Sequence, residues 1–233
     1  MNPLFDKLWL RGYSETNRNN ILSFIKEDQA SRFIDLGCDD GSLTLDVAKK
    51  VGTKFVYGLE KNPANVTDCC KKGIHVVLGD LDKGIPLKSE SFDVILCNQV
   101  IEHVCNTDFL LREIHRILTS EGYAIISTNN ISSWTNIVAL LFGKQPFPNH
   151  PSDEILTGRF LSKDELLPSE TFAHRRTFSF SALAGVLKHH HYKIIEKKGS
   201  CFYPFWGFIE KFLSSIFSIY SAYIIVKVKK LVK

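Results

Sequence analysis

The sequence contains no pair of cysteines at C-x-x-C spacing: its six stand at positions 38, 69, 70, 97, 105 and 201. That excludes zinc ribbons and thioredoxin-like redox sites and leaves free thiols as the reading. No charged-then-apolar segment opens the chain, since Asp6, Lys7 and Arg11 are mixed among scattered apolar residues. A reducing cytoplasm is therefore the expected setting. The longest uncharged apolar run, Phe212 to Val226, has 15 residues, short of the roughly 20 a membrane-spanning helix needs. An excess of one charge is also missing, with 29 Lys and Arg against 25 Asp and Glu. Beyond Val186 nine lysines face only Glu196 and Glu210. No base-reading motif or aromatic-interleaved stripe accompanies them, so a solvated face is preferred over a nucleic-acid surface. Internal repeats and low-complexity segments are absent as well.

What is present is ample apolar material, 44% hydrophobic over 233 residues, enough for one sizeable core and a single domain spanning 1–233. After an amphipathic helix around Asn17 to Glu27, β-rich runs alternate with helical patterns: Arg32–Leu36, Lys54–Leu59, His75–Leu78, Phe92–Cys97 and Tyr123–Ser127. That alternation predicts an α/β fold with a parallel sheet, and the nearly continuous apolar runs predict helices on both of its faces. Thr107 to Leu118 puts Leu110, Leu111, Ile114, Ile117 and Leu118 on one helical stripe, capped by Asn106 or Thr107, with Glu121-Gly122 supplying the next turn. From 129 to 176 periodicity weakens and prolines gather at 146, 148, 151 and 168, which reads as a lid or insertion. Helix and strand return at Ser179–His189 and Tyr192–Glu196, then come FYPFWGF, a helix over Phe205 to Tyr220 and a strand near Ala222–Val228.

The strongest local signal is FIDLGCDDGSLT, residues 33–44: a β-rich run ending at Asp35, a turn with Gly37 and Gly41, then a helical pattern. Glycine lets backbone approach a ligand closely, and the helix start offers unpaired N–H groups. Glu60 closes the next strand a little over twenty residues on, a spacing at which a carboxylate accepts hydrogen bonds from ribose hydroxyls.

With these motifs the sequence resembles the class I S-adenosylmethionine-dependent methyltransferases, particularly the type 11 and type 12 small-molecule group. The resemblance implies a doubly wound, mostly parallel seven-stranded sheet of order 3-2-1-4-5-7-6, strand 7 antiparallel. It implies that Asp35, Gly37, Cys38, Asp39, Gly41, Glu60 and Lys61 hold S-adenosylmethionine, and that Asp80 and Leu81, in Gly79-Asp80-Leu81, meet its adenine. SFDVILCNQVIEHV, residues 91–104, looks like the fourth strand and its loop, placing Asn98, Gln99 and His103 beside the cofactor. One departure stands out: the middle glycine of D-x-G-x-G-x-G is Asp39 here, a residue type that visits left-handed angles more readily than most.

The reaction implied is in-line methyl transfer to an oxygen or nitrogen of a small-molecule, glycan or lipid-linked acceptor, with His103 as a candidate general base or a loop-ordering residue. Glu102 reads as a helix-entry charge, and His150, Asp153, His174, Arg175 and Arg176 as acceptor contacts or solvated loop residues. Cys38 reads as a small packing residue. No metal is called for, because consecutive His189, His190 and His191 point in different directions. The alternatives are a catalytically silent cofactor-binding scaffold, motivated by Asp39, and a nucleic-acid methyltransferase, which loses ground because N-Q-V-I stands where N-P-P-Y/F is expected. In the helix over 205–220 the polar positions Gly207, Glu210, Lys211, Ser214, Ser215 and Ser218 form one narrow stripe, so a second apolar contact is expected: the lid, a homodimer partner, or a membrane touched peripherally. A single lysine on that stripe favours a protein contact.

Overall fold

The computed structural model describes residues 15–159, 164–166, 174–205 and 207–231. Helix α1 covers 15–24 of these. There follow β1 (Arg32–Leu36), α2 (Ser42–Val51), β2 (Phe55–Glu60), α3 (Pro63–Lys71), β3 (His75–Leu78), β4 (Phe92–Asn98), α4 (Thr107–Ile117) and β5 (Leu118–Asn129). Next come α5 (Trp134–Leu141), a hairpin of β6 (Ile155–Leu156) and β7 (Glu165–Leu166), α6 (Phe180–His189), β8 (Tyr192–Ser200), α7 (Gly207–Ile216) and β9 (Tyr223–Lys230). The main sheet runs β3-β2-β1-β4-β5-β9-β8 with β9 antiparallel to both neighbours. Leaving out the two-residue hairpin, this is the order 3-2-1-4-5-7-6.

Strand alternation divides the core. Ile34, Leu36, Ile95, Cys97, Ala124, Ile126, Ile224 and Val226 pack with α4 and α6 on one face, while Phe33, Val94, Leu96, Tyr123, Ile125 and Ile225 pack with α1 and α2 on the other. A period of two with both faces apolar is what a sheet covered on both sides requires. Each large buried side chain contributes about 1.5–3 kcal/mol. Asn106 caps α4 by accepting from Phe109 N at 2.9 Å, and Ser179 caps α6.

Several sequence boundaries move. Glu121-Gly122 is not a turn: β5 already begins at Leu118, and the register against β4 shifts between Phe92 and Val94. Glycine is needed at 122 because a Cβ would lie 2.8 Å from Asp93 O. Strand β8 runs four residues past Glu196, its lysines lying on the sheet's edge strand, where charge blunts edge pairing. The segment 129–176 carries helix α5 and the hairpin; its stretches 160–163 and 167–173 lie outside the described residues.

Helix α7 is turned over relative to the sequence reading. Glu210 and Ser214, from the polar stripe, are buried, while Phe208 is 83% exposed and Ile209, Phe212 and Ile216 are also exposed. The cause is local: Glu210 Oε1 accepts from Cys201 N at 3.0 Å and from Ser214 Oγ at 2.9 Å, fastening the helix to the end of β8 by its polar side. Trp206, part of the same expectation, lies outside the described residues. No helix among the described residues is long and apolar enough to cross a membrane.

The end of β8 also fixes the first helix. Lys227 of β9 is 1% exposed, and its Nζ donates to Phe24 O at 2.6 Å and to Glu196 Oε1 at 3.1 Å. Asn20 Nδ2 donates to Gly199 O at 3.3 Å, and Asn17 Nδ2 to Asn98 Oδ1 at 2.9 Å. A Cβ on Gly199 would sit 2.8 Å from Ser218 Cα. Gly199→Ala is accordingly expected to destabilise the protein by about 1–3 kcal/mol, the usual cost of overpacking. Urea unfolding midpoints would show it, with the slope unchanged.

Candidate functional site

Where β1 and its neighbour β4 send their connections to opposite sides, the carboxyl ends of the strands open a crevice, the position at which open α/β sheets bind ligands. A cavity of about 700 Å³ occupies it, lined by Asp35, Gly37, Cys38, Asp39, Glu60, Lys61, Asp80, Leu81, Asn98, Gln99 and His103 among others. Of the residues marked out in the sequence for the cofactor, only Gly41 is missing from this lining, and it shapes the turn from behind; His150, Asp153, His174, Arg175 and Arg176, marked out for the acceptor, are not part of it.

The loop after β1 takes left-handed angles at Gly37 (φ 77), Asp39 (φ 46) and Gly41 (φ 78). A Cβ on Gly37 would fall 2.7 Å from Val100 Cγ2, and one on Gly41 would fall 2.6 Å from Ile74 Cδ1, so both positions need glycine on steric as well as conformational grounds. Asp39 adopts the same region and is held there, its Oδ1 accepting from Asn65 Nδ2 at 2.6 Å. The turn therefore survives the replacement of its middle glycine. Cys38 turns away from the ligand side: it is 4% exposed, with its Sγ 3.8 Å from Cys69 Sγ, and burial pushes its thiol up, which fits a packing role.

Glu60 is clamped by three main-chain donors. Its Oε1 accepts from Lys61 N and Asn62 N at 2.9 Å each, and its Oε2 from Asp39 N at 3.1 Å. A carboxylate has about four lone-pair sites, so one remains for a ligand hydroxyl. Asp80 accepts from Asp82 N at 3.1 Å in a tight turn after β3. Asn98 Oδ1 takes hydrogen bonds from Asn17 and Ser127. Gln99 sits at φ 55, and its amide is best satisfied with nitrogen toward Glu102 Oε1 at 3.3 Å and oxygen toward Thr128 N at 3.2 Å.

Charge is the notable property of the cavity. Asp35, Asp39, Asp40, Glu60, Asp80 and Asp82 line it, while Lys61 is the one lysine or arginine among the described lining residues. Burial raises the Asp35 carboxyl to about 7, partly offset by the Thr44 hydroxyl, which donates to it at 2.7 Å. Burial, Asp40 and Glu60 raise Asp39 too. A site that crowds carboxylates in low dielectric favours a cationic ligand.

Asp35 also makes a pH prediction. Its pKa is raised from an ordinary 3.8 to about 7, so its favourable contribution to folding is complete below the unfolded-state pKa and is lost as pH rises through 7. Asp35→Asn should remove that decline. Denaturation of the unliganded protein at pH 5 and pH 8 is expected to show the wild type losing about 2 kcal/mol relative to the variant over this interval.

Glu102 is not a helix-entry charge: it is 1% exposed, and α4 begins only at Thr107. It lies in the turn after β4, where His103 N donates to Val100 O at 2.9 Å. The chain returns seventy residues later and binds it, Arg175 N and Arg176 N donating to Glu102 O at 2.8 and 3.1 Å. His174 is thereby set 4.9 Å, ring to ring, from His103 and 4.6 Å from His150. Nothing in the linear sequence marks Glu102 with His174; only the polar residue inside the apolar run V-I-E-H-V hints at burial. His190 is separate, its Nε2 lying 2.7 Å from Asp108 Oδ1.

Known proteins are similar to this chain in sequence and in fold. A family model described as methionine biosynthesis protein MetW matches residues 16–156. A ubiquinone biosynthesis O-methyltransferase of Homo sapiens is 24% identical over 185 residues, covering 73% of this chain and 49% of that protein. A trans-aconitate 2-methyltransferase of Mycobacterium tuberculosis is 25% identical over 129 residues, covering 54% and 49%. The chain thus spans about half the length of the curated relatives it matches. A solved Thermotoga maritima S-adenosylmethionine-dependent methyltransferase superposes with a TM-score of 0.64 at 18% identity, covering 97% of this chain and 94% of that one. With more than half of its length matched by that model, on this sheet order and this glycine turn, the chain belongs to the MetW family and has the fold of that solved S-adenosylmethionine-dependent methyltransferase.

Proposed function

We propose that this protein transfers a methyl group from S-adenosylmethionine to an oxygen of a small, amphiphilic acceptor. The observation that carries the reading is the acidic, glycine-turned cavity at the switch point. S-adenosylmethionine is a cation that supplies an electrophilic methyl group, and the surplus of carboxylates suits it. Gly37 and Gly41 let the backbone come close, Glu60 offers its remaining lone pair to a ribose hydroxyl, and Asp80 and Leu81 border the adenine end. Asn98 and Gln99 close the other side. His103, in the cavity lining with its ring 4.9 Å from that of His174, acts on the acceptor. Because the Asp39 turn is kept, the silent-scaffold alternative loses its motive.

Oxygen is preferred over nitrogen because both curated relatives described above carry names of oxygen methylation, one in words and one through its carboxylic acid substrate. An amphiphilic or lipid-linked acceptor is supported by large apolar side chains left exposed on α5 and α7. Leu140, Leu141 and Phe142 at the end of α5 are exposed, as are Phe208, Ile209 and Phe212 of α7. Trp134, at the start of α5, lies against the stretch that precedes α7, its ring 6.1 Å from that of Phe202 and 6.4 Å from that of Phe205. Such a face in contact with a lipid surface would bring the acceptor to the cavity.

Mass spectrometry of the purified protein for retained S-adenosylmethionine or S-adenosylhomocysteine, followed by calorimetric titration, tests the cofactor. Absence of binding at millimolar ligand would sink the reading. Cosedimentation with vesicles tests the surface: binding lost in Phe208→Ser/Phe212→Ser supports it, whereas no vesicle binding together with a dimeric mass would assign the face to a second copy.

A further inference from the structure

Among the described residues, one group of metal-ligating side chains converges from separate parts of the chain. One donor atom each from Glu102, His103 and His174 lie within 4.8 Å of one another. Ligands around an ion at bond lengths of about 2.1 Å stand roughly 3–3.5 Å apart, so small side-chain rotations close the set. From these residues we infer a divalent transition-metal site at the acceptor end of the cavity, with Glu102, His103 and His174 as its protein ligands.

Two features support it independently. First, Glu102 is 1% exposed and its Oε2 has no hydrogen-bond partner. No lysine or arginine side chain among the described residues forms an ion pair with it. Second, the His174 tautomer is fixed for ligation: Nδ1 lies 3.1 Å from Pro148 O and must donate to it, which leaves the lone pair on Nε2. That nitrogen faces Asn129 Nδ2 at 3.2 Å, and the same amide donates to Glu102 Oε1 at 3.2 Å, a neutral group bridging two electron-pair donors.

Two imidazoles and one carboxylate suit Zn²⁺, Mn²⁺ or Fe²⁺, and three protein ligands leave positions open. Since His103 lines the cofactor cavity, those positions face it. If the methyl-transfer reading holds, on which this part rests, the ion would bind the acceptor's hydroxyl oxygen and lower its pKa. The sequence alone gave no reason to expect a metal, because its donors lie seventy residues apart.

The experiment titrates chelator-treated full-length protein with Zn²⁺ and Mn²⁺ by calorimetry, without acceptor. One ion per chain is expected, with affinity reduced at least about tenfold in Glu102→Gln and in His174→Asn. Should a variant fail to fold, the wild type suffices: Zn²⁺ should shield His103 and His174 from diethyl pyrocarbonate, read by mass spectrometry, while exposed His189 and His191 still react. No uptake, uptake unchanged in both variants, or absence of that shielding overturns the inference. S-adenosylhomocysteine is titrated on the same preparations without metal. Its failure to bind would remove the methyl-transfer reading and leave the ion result standing, whereas ion failure with retained binding would do the reverse.

Discussion

Glu60→Ala is expected to weaken cofactor binding by about 1.5–3 kcal/mol, roughly ten- to a hundredfold, and to lower thermal stability in the same protein. The first effect is the loss of the carboxylate that faces the ribose. The second follows from the clamp, because Asp39 N, Lys61 N and Asn62 N all donate to Glu60 and would lose their acceptor together. Glu60→Gln separates the two. Its single amide oxygen can still serve Lys61 and Asn62, but its NH₂ then confronts the Asp39 N–H and loosens the left-handed turn. Calorimetric titration with S-adenosylhomocysteine beside a thermal melt reads both. Unchanged affinity in Glu60→Ala would remove Glu60 from the site and put the cofactor elsewhere.

His103→Ala should lower turnover by about a hundredfold or more while cofactor affinity holds, as expected when a group acting on the acceptor is removed. A loss of cofactor affinity equal to the loss of rate would instead give His103 an ordering role in the turn it makes with Val100.

The strands of the sheet were readable because each is an apolar run bounded by polar turns, and β1 and His75–Leu78 match residue for residue. The extra length of β5 was not, since Thr119 to Gly122 carries no apolar signal and joins the sheet only through a shifted register. Helix α7 was found but faced the wrong way. A hydrophobic stripe predicts the buried side only when nothing polar inside competes, and here the Cys201 N–H demands the Glu210 carboxylate. The cofactor loop was legible for a related reason: its glycines and acids are adjacent in sequence, so spacing alone carries the geometry. The Glu102, His174 and Asn129 cluster is assembled by tertiary contacts, including the Arg175 and Arg176 main-chain clamp, and no local pattern records it.

The buried Lys227 has a consequence for how the protein comes to be. Helix α1 leaves the ribosome well before the residues that hold its end, Lys227 and Gly199, which are made some two hundred and some one hundred and eighty residues later. Until then Phe24 O has no cation to meet, and Asn17 has no fixed position from which to brace Asn98. Long-range contacts of this kind close late, after the local ones. A nascent chain halted before β9 would therefore carry the whole glycine turn and Glu60 and still lack the brace that Asn17 gives to Asn98 in the cavity lining, so full ligand capture waits for β9.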